Sequence, residues 1–143
     1  GPEQVQLSDK LKGRKVVIFA VPGAFTKTCH SAHVPSFIRT KDQFAAKGVD
    51  EIICLAGNDP FVMSVWGDNT GATEAGITML SDAECSFTDA IGMRFDAPAA
   101  GLIARSLRYA MLVEDGTVKV LQKEENPGQC ERSGGEGLLE AMG

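Results

Sequence analysis

The feature that most constrains this chain is a continuous apolar run at residues 16–21 that stops at Pro22-Gly23. An apolar run without polar alternation is typical of a strand buried on both faces of a sheet. The next segment, residues 28–47, has apolar side chains at near-helical spacing and is followed by Gly48, which predicts a long helix. Pro35 should kink that helix, because proline removes a hydrogen bond and clashes with the preceding turn.

The rest of the pattern continues this alternation of strands and helices. The expected elements are strands at 50–56, 77–80, 109–113 and 118–121, and helices over 61–66, 87–93 and 138–142. Asp59-Pro60 is a typical helix start, Ser133 and Glu136 have the spacing of a capping box, and Asp115-Gly116 predicts a hairpin. The order predicts a three-layer α/β sandwich whose mixed central sheet is covered by helices on both faces.

Length and charge limit the function classes. The chain has 143 residues, 43% of them hydrophobic, which suits one domain at 3–143; Gly1-Pro2 reads as the remnant of a cleaved tag. A net charge of −5 argues against nucleic acid and anionic membranes, which require basic surfaces. No apolar run approaches the roughly 20 residues of a membrane span. We expect a small molecule or another protein as the partner.

The four cysteines, Cys29, Cys54, Cys85 and Cys130, are scattered and form no C-x-x-C pair. This spacing argues against a disulfide scaffold, a zinc finger and the thioredoxin redox motif. It favours a reducing compartment with one reactive thiol. We expect a cytoplasmic location, or an organellar one for a chain whose leader has been removed.

Cys29 is the strongest candidate for chemistry, because it follows the first buried strand and opens the long helix. A cysteine in a first helical turn meets unpaired backbone N–H groups and the positive end of the dipole, which favour the nucleophilic thiolate. Thr26, three residues earlier, can turn its hydroxyl toward the sulfur, and Pro22 can shield the pocket from water. The residues alone leave open a second interpretation, an inert and half-buried cysteine.

The spacing Pro22-x-x-x-Thr26-x-x-Cys29 resembles the peroxiredoxin active-site signature. The resemblance to the type II, or peroxiredoxin-5, subfamily covers nearly the whole chain. It rests on the strings 21–26, 33–35, 58–63 with Trp66, 79–82 and 108–116. It implies a thioredoxin-like fold and a thiol peroxidase of antioxidant defence and redox homeostasis, which reduces hydrogen peroxide and organic hydroperoxides through a Cys29 sulfenic acid. Two departures are Lys27, where the family usually has proline, and the lack of an N-terminal strand pair.

The resemblance also assigns Arg108 to the site, where a guanidinium would stabilise the thiolate and bind peroxide oxygens together with Thr26 and Cys29. Pro22 completes the catalytic set. Arg105 is interpreted as a surface arginine at a strand end. His33 is interpreted as a hydrogen-bonded helix residue rather than a metal ligand, because zinc needs four ligands. We expect neither a metal nor a cofactor.

The thiol that reduces the sulfenic acid stays open. Plant relatives carry a second cysteine at the place of Cys54, and animal relatives carry one in the region of Cys130. We favour an external reductant, glutathione with glutaredoxin, over an internal partner; thioredoxin is the alternative. The resemblance implies a homodimer through loops that include Phe25 and Phe87. Two further interpretations are a peroxide-sensing redox switch and a general thiol–disulfide oxidoreductase.

Overall fold

The structure is a computed structural model that describes residues 2–126 and 128–143. Gly1 of the expected tag remnant and Pro127 therefore lie outside the described residues, and so does part of the turn that Asn126-Pro127-Gly128 indicates before Cys130. The strands are β1 (Lys15–Ala20), β2 (Glu51–Ala56), β3 (Thr78–Ser81), β4 (Arg94–Ala97), β5 (Leu102–Ser106), β6 (Tyr109–Glu114) and β7 (Thr117–Lys123). The α-helices are α1 (Leu7–Leu11), α2 (Val34–Ala46), α3 (Pro60–Thr70), α4 (Ser86–Ala90) and α5 (Gly135–Met142).

The central sheet has five strands in the order β3-β2-β1-β6-β7. β1 and β2 pair in parallel, as do β2 and β3, because a helix separates each pair along the chain. β6 and β7 form the predicted hairpin, and β6 also runs antiparallel to β1. The mixed sheet is therefore confirmed.

Two apolar clusters cover the two faces of this sheet. Phe19 and Cys54 point to one face, where they pack with Phe37 of α2, Trp66 of α3 and Leu138 of α5. On the other face, alternate strand residues pack with Leu11 of α1 and with Phe87, which lies in α4. Period-two alternation in buried strands thus builds the expected three layers. None of the helices in the described part of the chain is both long and apolar enough to span a membrane.

The long helix after β1 is continuous but not uniform. Residues Cys29–His33 form a π-helical turn, in which the carbonyl of Cys29 accepts from the backbone N–H of Val34. α2 follows, with Pro35 in its first turn. Because proline has no N–H to donate back into the preceding turn, a widened turn at this point accommodates it. The expected kink stays a prediction.

The starts of α3 and α5 differ in how well the sequence predicted them. Asp59 caps α3 as predicted, because its carboxylate accepts from the N–H of Val62 at 2.9 Å. The capping box was wrong: Gly134 is the N-cap of α5, and the hydroxyl of Ser133 donates to Glu124 instead. The short helix α1 and the two-stranded sheet β4–β5 were not predicted. These elements have only four or five residues each, too few for a clear apolar periodicity in the sequence.

Candidate active site

Strand pairing brings the two ends of the site together. Ala20, the last residue of β1, lies opposite Tyr109, the first residue of β6. Arg108, just before β6, therefore lies beside the loop that leads from β1 to Cys29. Residues 79 positions apart meet because β1 and β6 are antiparallel neighbours.

Arg108 bridges two side chains of the π-helical turn. Its Nη2 donates to Cys29 Sγ at 2.9 Å, and its Nη1 donates to His33 Nδ1 at 2.8 Å. All three residues are buried. A guanidinium at this distance stabilises a thiolate through a charge-assisted hydrogen bond that little solvent screens. The structure thus brings together the cysteine and the arginine that the sequence singled out.

Cys29 opens the helical segment, as predicted, and its side chain is fully buried. Its neighbours Thr26, Thr28 and His30 are partly exposed, so the sulfur lies one layer of residues below the surface. Pro22, in the loop before Thr26, is buried as well. A small peroxide therefore reaches the sulfur only if side chains or the loop around it move slightly.

His33 is held in one tautomer. Its Nδ1 accepts from Arg108, which can only donate, so Nε2 carries the proton and donates to the carbonyl of Ser133 at 2.8 Å. Burial and the adjacent Arg108 guanidinium lower the pKa of His33 to about 3, against the opposing effect of the Ser133 bond. The ring is therefore neutral at physiological pH and orients Arg108 without repelling it.

A buried carboxylate fixes the segment that holds His33. Glu124 Oε2 accepts from the N–H of Glu131 at 2.9 Å and from both the N–H and the hydroxyl of Ser133 at 2.7 Å. The N–H of Glu124 donates to the carbonyl of Arg108 at 3.0 Å. Sequence reasoning missed this residue. The available signal was the hairpin, which places the end of β7 opposite the start of β6.

The loop before Cys29 is fixed at successive peptide groups. The hydroxyl of Thr26 donates to the carbonyl of Gly23 at 2.7 Å, and the N–H of Ala24 donates to Asn58 Oδ1 at 2.8 Å. Because its proton is used in this bond, the Thr26 hydroxyl offers its lone pairs to a bound group. Its expected contact with the sulfur is not among the hydrogen bonds of the described residues.

Arg105 differs from the expectation of a surface arginine. It lies in β5, is half-buried, and donates from Nη1 to the carbonyl of Pro22 at 3.1 Å. The unpredicted β4–β5 sheet brings it there. The sequence could not show this contact, because nothing local marks β5 as a partner of the active-site loop.

An aromatic group borders the site. Trp66 is buried and donates from Nε1 to His30 Nδ1 at 3.0 Å. Phe25 stacks on His30 with ring centroids 5.9 Å apart and is 49% exposed, as expected. Phe87 was expected at the same edge, but it packs in the apolar cluster on the opposite face of the sheet.

Comparison with known proteins bears on this arrangement. The Redoxin family model matches residues 1–139. Peroxiredoxin-2C of Oryza sativa subsp. japonica is 41% identical over 140 residues, which cover 98% of this chain and 85% of that protein. The chain belongs to the peroxiredoxins. The sequence-based assignment to this family is confirmed.

Further similarities agree with this membership. The chloroplastic peroxiredoxin-2E-2 of the same plant is 44% identical over 96% of this chain, but the match spans only 62% of that relative's length. The crystal structure of reduced Prx3 from Vibrio vulnificus superposes with a TM-score of 0.88 at 44% identity, and the match covers 95% of this chain and 85% of that one. The thioredoxin-like fold predicted for this peroxiredoxin is confirmed.

The other cysteines of this peroxiredoxin are unpaired. Cys54 is fully buried in β2, on the face of the sheet that Cys29 occupies. Burial, and secondly the charge at Cys29, raise the pKa of the Cys54 thiol well above its ordinary value. Cys130 is partly exposed, and burial also raises its pKa, although Arg108 acts in the opposite direction. Cys85 is buried at the start of α4.

Proposed function

We propose that this chain is a thiol peroxidase that reduces hydrogen peroxide and small organic hydroperoxides in antioxidant defence and redox homeostasis. The observation that carries the proposal is the 2.9 Å contact from Arg108 Nη2 to Cys29 Sγ. A buried cysteine that only filled the core would need no guanidinium, because burying a charge is costly unless a partner offsets it. The opposed charges of a thiolate and Arg108 supply that partnership.

The proposed reaction is a displacement at oxygen. The Cys29 thiolate attacks one peroxide oxygen, an S–O bond forms, and the O–O bond breaks. The electron pair of that bond passes to the leaving oxygen, which takes a proton and departs as water or an alcohol. Cys29 is thereby oxidised to a sulfenic acid and the peroxide is reduced. Arg108 donors stabilise the charge that develops on the leaving oxygen, and the lone pairs of Thr26 accept from the peroxide.

The proposed pocket is closed on one side by Pro22, which has no backbone N–H to offer a competing donor. Binding therefore rests on Thr26, Arg108 and the backbone N–H of Cys29. The buried position of the sulfur favours small substrates and keeps bulk water away from the thiolate. Larger organic hydroperoxides require a wider opening beside Thr26.

For the second half of the cycle we propose an external reductant, glutathione with glutaredoxin, over an internal cysteine. One thiol condenses with the sulfenic acid to a mixed disulfide and water, and a second thiol releases Cys29. Burial raises the pKa of both Cys54 and Cys130, so neither is a good nucleophile while the fold stays intact. The location expected from the sequence, cytoplasm or organelle, stays a prediction.

The test compares peroxide consumption by the wild type, Cys29→Ser, Cys54→Ser and Cys130→Ser, with glutathione plus glutaredoxin beside thioredoxin. We expect many turnovers for the wild type with the first reductant, none for C29S, and near wild-type rates for the other two variants. Substantial turnover by C29S would refute the assignment. A wild type that reacts once and stops would favour the redox-switch interpretation. Non-reducing mass spectrometry after one equivalent of peroxide separates a glutathione adduct from Cys29–Cys54 and Cys29–Cys130 disulfides.

We also propose a homodimer through the surface beside the active site. Phe25, Phe61 and Val65 are apolar and are 49%, 68% and 54% exposed, and the last two lie one turn apart on α3. Phe25 lies beside the same helix, since its ring centroid is 6.4 Å from that of Trp66. Exposed apolar side chains in one area commonly mark a protein interface. Sedimentation at micromolar concentration should give a dimer for the wild type and a monomer for Phe61→Glu. A monomeric wild type would contradict the proposal.

A further inference from the structure

Arg105 reaches the active-site loop through gaps left by two glycines. A Cβ atom on Gly23 would lie 2.7 Å from Arg105 Nη1. A Cβ atom on Gly57 would lie 3.1 Å from Arg105 Cδ and 2.7 Å from the carbonyl oxygen of Ala104. Any other residue at either position would push β5 or its arginine away. The two glycines therefore leave the space that the Arg105 side chain occupies beside the loop.

The charge of Arg105 is not used in an ion pair among the described residues. Arg94, on the neighbouring strand β4, binds both Asp89 and Asp96. Arg105 donates instead to a backbone carbonyl, that of Pro22. This hydrogen bond neutralises no charge. Its effect is to fix the position of the backbone at Pro22.

Arg105 binds the backbone carbonyl immediately before the carbonyl that accepts from the Thr26 hydroxyl. Pro22 supplies the carbonyl bound by Arg105, and the next carbonyl, that of Gly23, accepts the hydroxyl proton of Thr26. The Gly23 carbonyl belongs to the following peptide group, whose N–H is bound by Asn58 Oδ1. Arg105 and Asn58 therefore hold the two peptide groups on either side of Gly23, and without the Arg105 bond the loop would be free to shift at Gly23 and to move this carbonyl away from the Thr26 hydroxyl. Arg105 thus helps to set the direction of the Thr26 lone pairs without touching them.

We propose that Arg105 is a positioning residue for peroxide reduction. Its bond to Pro22 fixes the loop so that the Thr26 oxygen and the Cys29 sulfur face the same peroxide. Arg105 does not contact the substrate. This inference rests on the proposed peroxidase function, because it concerns the alignment of a peroxide with the thiolate.

The experiment measures two reactions of Cys29 in wild type, Arg105→Met and Arg105→Lys. One is the second-order rate with hydrogen peroxide, which needs Thr26. The other is alkylation by iodoacetamide, mapped to Cys29 by peptide mass spectrometry, which needs only an accessible thiolate. Since a displacement of about 1 Å can cost a hundredfold in rate, we expect R105M to slow the peroxide reaction by roughly ten- to a hundredfold. Alkylation should change by less than about threefold, and R105K, which keeps a donor, should recover most of the peroxide rate.

Two further variants make the result specific. Arg94→Met, which removes an exposed arginine from the adjacent strand, should leave both rates unchanged. Gly57→Ala keeps the guanidinium but displaces the strand that carries it, so it should reproduce the selective loss of R105M. Equal losses in both reactions, or unchanged peroxide rates in R105M and G57A, would overturn the inference. A wild type without peroxide turnover would refute the proposed function as well, whereas an active wild type with an equally active R105M would refute only the role of Arg105.

Discussion

Replacing Glu124 by glutamine keeps the size of a buried side chain while removing its charge. Three hydrogen bonds converge on Glu124 Oε2, from Glu131 and from two groups of Ser133. Hydrogen bonds to a charged acceptor contribute about 1.5–3 kcal/mol and neutral ones about 0.5–1.5 kcal/mol. Weakening three such bonds by about 1 kcal/mol each gives a loss of roughly 3 kcal/mol as an upper value, because the bonds share one acceptor and are not additive.

The expected consequence is a lower melting temperature and lower activity. In a domain of this size a loss of 1 kcal/mol lowers Tm by about 2–4 °C, so E124Q should melt below the wild type by up to roughly 6–12 °C. The looser segment at 131–133 also frees the Ser133 carbonyl, which orients His33 and through it Arg108. The peroxide rate should therefore fall by about tenfold or more even at temperatures at which E124Q is folded.

Thermal denaturation and stopped-flow peroxide kinetics at 25 °C measure the two effects. Glu125→Gln is the matched control, because Glu125 is adjacent and exposed. Substitutions of exposed residues usually change stability by less than about 0.5 kcal/mol, so Tm should change by less than about 2 °C. If E124Q melts with the wild type, the three bonds do not stabilise the fold. If it is less stable but fully active when folded, the link from Glu124 to the sulfur through Ser133 and His33 is wrong.

Two further predictions concern buried polar groups. The unfolded chain binds a proton at His33 with a pKa near 6.5, whereas the folded chain does so only near 3. The free energy of unfolding should therefore fall as pH falls from 6.5 to 3. In urea unfolding this fall should be steeper for the wild type than for His33→Gln, by a little over 1 kcal/mol per pH unit. Parallel profiles for the two proteins would contradict this. Tyr109 Oη is buried with no hydrogen-bond partner among the described residues. The free energy of unfolding of Tyr109→Phe, measured in urea, should therefore equal that of the wild type or exceed it by about 1 kcal/mol. A value about 2 kcal/mol lower would show that the hydroxyl does have a partner.

Strong local patterns allowed most of the sheet and its helices to be predicted. The apolar run at β1, the Asp59 cap of α3 and the Asp115-Gly116 turn each carry their signal within a few residues. The proximity of Arg108 to Cys29 came from the family resemblance, since the spacing of one cysteine and one arginine says nothing about contact. The antiparallel register of β1 and β6 supplies the physical reason for it.

The parts that were missed depend on contacts between distant segments. Ser133 has the sequence spacing of a capping residue, but its hydroxyl bonds to Glu124, nine residues earlier. Arg105 looks like an exposed strand residue, and only the fold of β4–β5 over the loop makes it a neighbour of Pro22. Phe87 is apolar and lies near a turn, and no local signal indicates which face of the sheet it packs against. Local propensity does not determine such tertiary choices.

The account depends on the Cys29 sulfur being the atom that Arg108 activates for attack on peroxide. Trapping the product of one equivalent of hydrogen peroxide with dimedone, followed by peptide mass spectrometry, tests this most directly. The wild type should carry the adduct on Cys29 and not on Cys54, Cys85 or Cys130. Arg108→Met should form it at least a hundredfold more slowly, the loss typical of a removed charge-stabilising donor. An adduct on Cys130, or an R108M rate equal to that of the wild type, would contradict the account.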